Sequence, residues 1–100
     1  MRIEEFQRKI EAIYYEKDRG RGLGGTFMWF AEEVGELSRA LRRKNQRELE
    51  GEFADCLAWL STLASIAGVD LESVAVRKYQ AGCPRCEGEP CVCKEPVREG

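Results

Sequence analysis

Two carboxylate pairs, Glu33 with Glu36 in EEVGE (32–36) and Glu52 with Asp55 in EFAD (52–55), each stand three residues apart. On a helix that spacing puts both side chains on one face, with Cβ atoms about 5–6 Å apart. Asp55 is the informative member, because it interrupts the apolar run FADCLAWL, where an ionised carboxylate is costly unless it reaches water or a cation. Antiparallel packing of two successive helices brings the four groups together, and two like charges about 4 Å apart cost roughly 4 kcal/mol at an effective dielectric of about 20. Such a group needs protons or a metal ion. The chain has no histidine, which removes the Glu-x-x-His signature of di-iron bundles and disfavours a catalytic zinc. All-oxygen ligation points to magnesium, or manganese in its place, with a shell completed by water and substrate phosphates. EExxE alone also fits a solvated acidic helix face. Its ExxD counterpart inside an apolar helix favours the site.

A second set of ligands lies near the C-terminus. Cys83-x-x-Cys86 and Cys91-x-Cys93 supply four thiols between residues 83 and 93, which in a reducing compartment read as a four-coordinate structural zinc site. Two disulfides or a disordered tail are the alternatives. The fifth cysteine, Cys56, reads as a small buried hydrophobe.

The elements that position these residues are helical. Ile3, Phe6, Ile10 and Ile13 mark an amphipathic helix over about residues 2–18, and RGRGLGG (19–25) reads as a loop that ends it. Thr26 is a candidate N-cap for a second helix carrying the stripe Phe27, Phe30, Val34, Leu37 and Leu41, which closes in the basic run 42–45. Arg39, Arg42, Arg43, Lys44 and Arg47 read as a solvated, dipole-complementing end. Asn45 and Glu48 resemble a capping box for a third helix to about Ala67, which Gly68 stops; Asp70 caps a short fourth helix to about Gln80. The third helix is apolar nearly all round, so it must be surrounded. Three short neighbours do not enclose it, and a dimer or tetramer with a shared helical core is expected.

EEVGE followed after fifteen residues by EFAD resembles the EExxE…ExxD pattern of the MazG-like all-α nucleoside triphosphate pyrophosphohydrolases, relatives of dimeric dUTPases, over about residues 25–80. The resemblance implies an all-α, oligomeric enzyme that uses magnesium to cleave a nucleoside triphosphate to the monophosphate and pyrophosphate. It implies Glu33, Glu36, Glu52 and Asp55 as metal ligands and Glu32 as a residue that orients or deprotonates the attacking water or touches a second metal. It also places Lys78, and secondarily Arg77, on the phosphates, although Gln80 stands close to where the family often has an asparagine. Trp29 becomes the candidate for a base pocket and Trp59 a core or interface residue.

The expected organisation is a four-helix domain over residues 1–80 and a Cys-rich zinc-knuckle tail over 81–100. A formal charge of −2 gives no broad basic surface for a nucleic-acid polymer. No stretch has the length of a membrane span or the form of a secretory leader, so a cytoplasmic protein is the expectation. The competing class is a non-enzymatic module in which the knuckle docks a partner and the acidic face is structural.

Overall fold

The computed structural model describes residues 1–94; the last part of the expected tail, 95–100, lies outside the described residues. The described chain is all-helical: α1 (Ile3–Arg43), α2 (Gln46–Ile66) and α3 (Leu71–Tyr79), followed by the turn-rich cysteine segment. Three helices replace the four expected, because RGRGLGG is not a loop. Only Gly22 leaves helical geometry, at φ 78° and ψ 178°, and it breaks α1 into two arms. That region of backbone space is essentially restricted to glycine. Thr26, expected as an N-cap, is fully buried within the second arm, where its hydroxyl accepts from the Arg21 guanidinium at 3.4 Å.

Local signals fix the other boundaries. The Asn45 side chain accepts from the Glu48 backbone N–H at 3.0 Å, and Glu48 turns its own carboxylate to Arg43 at 2.7 Å. Asp70 caps α3 by accepting from the backbone N–H and the hydroxyl of Ser73. Gly68, at φ 76°, ends α2 in a Schellman arrangement, with Gly68 N–H on the Ser65 carbonyl and Val69 N–H on the Ala64 carbonyl.

α1 and α2 pack antiparallel, since cross-helix partners advance on one while receding on the other: Gln7 meets Ser65, Asp18 meets Thr62, and Trp29 meets Trp59. Gln7 holds one end. It is fully buried and donates to the Ser65 hydroxyl at 3.0 Å and the Val69 carbonyl at 2.9 Å, while accepting from Leu71 N–H at 2.9 Å. A buried amide saturated in this way specifies register as well as contributing energy. α3 is tied to the start of α1 through Glu72, which accepts from Arg2 at 2.5 Å and from Glu4 N–H at 3.1 Å.

The described residues enclose almost no core. Among the described residues the buried apolar side chains are Ile10, Ala40 and Ala64. The radius of gyration of 15.9 Å exceeds the roughly 13 Å of a compact 100-residue domain. Phe27, Val34 and Leu41 from the expected stripe are exposed, and so are Phe53, Leu57 and Leu60 of α2.

Candidate active site

On α2, Glu52, Asp55 and Trp59 recur at three and four residues and share one face; across from them, the second arm of α1 presents Trp29 and Glu33. Antiparallel packing therefore converges the charges. Carboxylate oxygens of Glu33, Glu52 and Asp55 lie within 4.8 Å of one another. Burial pushes the Glu33 carboxyl above its ordinary value of 4.5, and the charges of Asp55 and Glu52 add to the rise. One oxygen, Glu52 Oε2, is buried and accepts no hydrogen bond. A buried acceptor with no donor, facing two further carboxylates, is a group built to be neutralised. The donor set is hard and all-oxygen, which fits magnesium or manganese.

Glu36 is not brought into this trio. Its carboxylate is held by the Arg39 guanidinium, one turn along the same helix. Glu32 is exposed. Cys56 is half-buried beside the cluster, where burial and then the charges of Glu33, Glu52 and Asp55 push its thiol above the usual range. It therefore stays a neutral hydrophobe rather than a nucleophile.

Asp55 also opens onto a cleft of about 360 Å³ between the first arm of α1 and α2, within the size range of small-molecule sites. Both tryptophans line it, stacked at 6.1 Å between ring centroids with planes 11° apart. Trp59 thus shares the cleft with Trp29 instead of entering a core. Arg21 lies over the Trp59 ring at 4.8 Å and pairs with Asp18 at 2.8 Å. Arg21 falls in the stretch 19–25 that reads as a loop, and Asp18 and Thr62, single polar residues on expected helices, belong to no motif in the sequence. The signal that would have found Asp18 is its phase, four and eight residues beyond Tyr14 and Ile10 on the cleft-facing stripe.

Arg77 and Lys78 are exposed and line a separate groove, beside Cys83 and Pro84. The chain does not bring them to the carboxylates.

In the C-terminal segment the four Sγ atoms of Cys83, Cys86, Cys91 and Cys93 fall within 4.8 Å of one another, and all five cysteines are free. Cys83 and Cys93 are 3.9 Å apart, as are Cys86 and Cys91. This is far beyond a disulfide at about 2.05 Å, and matches the roughly 3.8 Å edge of a tetrahedron with metal–sulfur bonds of about 2.3 Å. Backbone N–H groups of Val92 and Gly88 donate to Cys86 Sγ at 3.4 Å and hold its thiol down to about 6. Hydrogen bonding with the Cys91 thiol, then burial, pushes Cys93 up to about 12. Donors already aimed at sulfur, and thiols that cannot all ionise alone, fit a bound soft cation.

A family model described as MazG nucleotide pyrophosphohydrolase domain matches residues 24–87. The match contains both acidic motifs and the first cysteine pair, and begins after Asp18 and Arg21. No curated protein matches the chain.

Proposed function

Since the chain belongs to the MazG nucleotide pyrophosphohydrolase family, we propose that it hydrolyses a nucleoside triphosphate to the monophosphate and pyrophosphate, in nucleotide-pool housekeeping in the cytoplasm. The observation that carries this reading is the convergence of Glu33, Glu52 and Asp55 around the buried, donorless Glu52 Oε2 at the mouth of a tryptophan-lined cleft.

Glu33, Glu52 and Asp55 would hold magnesium, with Glu36 joining on release from Arg39. When bound, the ion would supply positive charge for phosphate oxygens and an acidified water. The protein's own groups do the rest. Glu32, exposed one residue before Glu33, is placed to orient a water or take its proton. The two tryptophans offer a stacking surface for the base, and the antiparallel helices fix the distance between that surface and the carboxylates.

The exposed faces carrying Phe27, Val34 and Leu41 and carrying Phe53, Leu57 and Leu60 suit a second copy of the chain, giving a dimer or tetramer with a shared core. Arg77 and Lys78 would then reach phosphates across that interface. A monomer mass in sedimentation at micromolar concentration would exclude this assembly.

The direct experiment incubates the purified protein with common and damaged nucleoside triphosphates and magnesium, and follows pyrophosphate and monophosphate together. Stoichiometric formation of both supports the reading. No turnover of any triphosphate by folded protein favours the non-enzymatic docking module.

A further inference from the structure

The cleft has two chemically distinct ends. At one stands Asp55, shared with the carboxylate trio; at the other, Asp18, Arg21 and Thr62. Asp55 and Thr62 are seven residues apart on α2, about 10 Å along the helix axis. Between them in the chain lies Trp59, four residues after Asp55 and three before Thr62, and it stacks on Trp29 of α1.

The far end is a built polar wall. Asp18 and Arg21 are largely buried, with 13% and 20% of their side chains exposed. Arg21 Nη1 donates to Asp18 Oδ1 at 2.8 Å, and the Thr62 hydroxyl donates to Asp18 Oδ2 at 3.3 Å. With its hydrogen so committed, Thr62 turns only lone pairs outward, and Asp18 keeps spare acceptor capacity on both oxygens. Arg21 is locked by the Trp59 ring beneath it and by Asp18 beside it. Gly25 makes room for this: a Cβ there would stand 2.9 Å from Arg21 Cγ. The wall is thus acceptor-rich, with a fixed cation alongside.

We infer that Asp18, with Thr62 and the positioned Arg21, reads the polar edge of the nucleobase in this cleft and selects bases that carry an exocyclic amine. The amine donates to Asp18 or Thr62, and a neighbouring ring or carbonyl acceptor meets Arg21. A base with a carbonyl in place of the amine sets oxygen against carboxylate and leaves a desolvated acceptor unpaired, which is the kind of mismatch that gives strong discrimination. The inference rests on the proposed nucleotide site but not on the hydrolytic step.

The chain's two tryptophans both line the cleft, so intrinsic fluorescence reports occupancy without turnover. Titration of the magnesium-loaded protein with CMP against UMP, and AMP against IMP, is expected to show the amino-bearing member of each pair binding at least about tenfold tighter. Asp18→Asn, whose amide can donate to a carbonyl, should bring both ratios to about one or invert them. Thr62→Val, nearly isosteric, should lower them by less. If Asp18 were only a strut between helices, Asp18→Asn would weaken both members equally and leave the ratios intact. That result, or ratios near one in the wild type, overturns the inference. Selective binding without hydrolysis of the corresponding triphosphate would instead overturn the proposed activity and leave base reading standing.

Discussion

Trp29 on the second arm of α1 and Trp59 on α2 stack at 6.1 Å with planes 11° apart, and thereby join the two helices that carry the carboxylates. Base–aromatic stacking contributes about 1–3 kcal/mol. Trp59→Ala should therefore raise KM for the preferred triphosphate by about 5–150-fold, with kcat changed by much less because the carboxylates are untouched. An unchanged KM would return Trp59 to a purely structural role.

Asp55→Asn should separate activity from stability. The loss of activity should exceed the roughly 10–100-fold typical of losing an outer partner of a metal ligand, while the apo protein holds or gains stability at pH 7. The sign follows from Glu33, whose carboxyl is raised above 4.5. Its folded form binds a proton more tightly than the unfolded chain does, so stability falls as pH rises from about 4.5 through the folded value and stays lower at neutrality. Removing the Asp55 charge relieves that repulsion. Magnesium alone should raise the melting temperature of the wild type at pH 7 but not of Asp55→Asn; equal shifts in both would place the cation elsewhere.

Gly22→Ala and Gly24→Ala should move stability in opposite directions although the sites are two residues apart. An added Cβ meets nothing within 4 Å at either position, so backbone conformation alone decides. At Gly22 it forces alanine into a glycine-only region at about 1–3 kcal/mol. At helical Gly24 it gains up to about 1 kcal/mol in propensity. Urea unfolding of the two variants checks this, and a stabilising Gly22→Ala would mean α1 is not broken there.

The cysteine cluster should bind about one zinc per chain, because two sulfur pairs at 3.9 Å fit a tetrahedron. Cys86→Ser should lose most of that zinc, since Cys86 is the thiol held down to about 6 by two backbone donors. Metal analysis of protein purified with zinc, alongside thiol alkylation, tests it. Full alkylation with no zinc retained would rule out the site.

Acid should loosen α3 before the rest of the fold. Hydrogen bonding from Arg2 and from Glu4 N–H holds the Glu72 carboxyl below 4.5, and Ser73 holds Asp70 below 3.8. Depressed carboxyls contribute stability above their unfolded values that is lost as pH falls through the folded ones. Amide protection factors in Leu71–Tyr79, with the intrinsic pH dependence of exchange divided out, should fall below about pH 4 and be flat above about pH 5. Glu72→Gln should blunt the transition, and protection factors independent of pH in that range would show that these pairs do not hold α3.

The parts legible in sequence are those that one helical turn decides. The phase of Glu33, Glu52 and Asp55, the caps at Asn45 and Asp70, the stop at Gly68 and the two cysteine pairs all depend on neighbours within a few residues, and backbone geometry fixes where such neighbours point. Tertiary structure decided the rest. Gly20, Gly22, Gly24 and Gly25 are locally equivalent breakers, and only the need to lay the first arm along α2 selects Gly22. Glu36 had two partners in reach, and Arg39 on its own helix took it, which leaves three carboxylates converging instead of four. Asp18 and Thr62 lie 44 residues apart in sequence, so their union with Arg21 over the Trp59 ring exists only once the helices have packed. Spacing along a helix fixes which way a side chain points, but what it meets there depends on how the second helix is laid across the first.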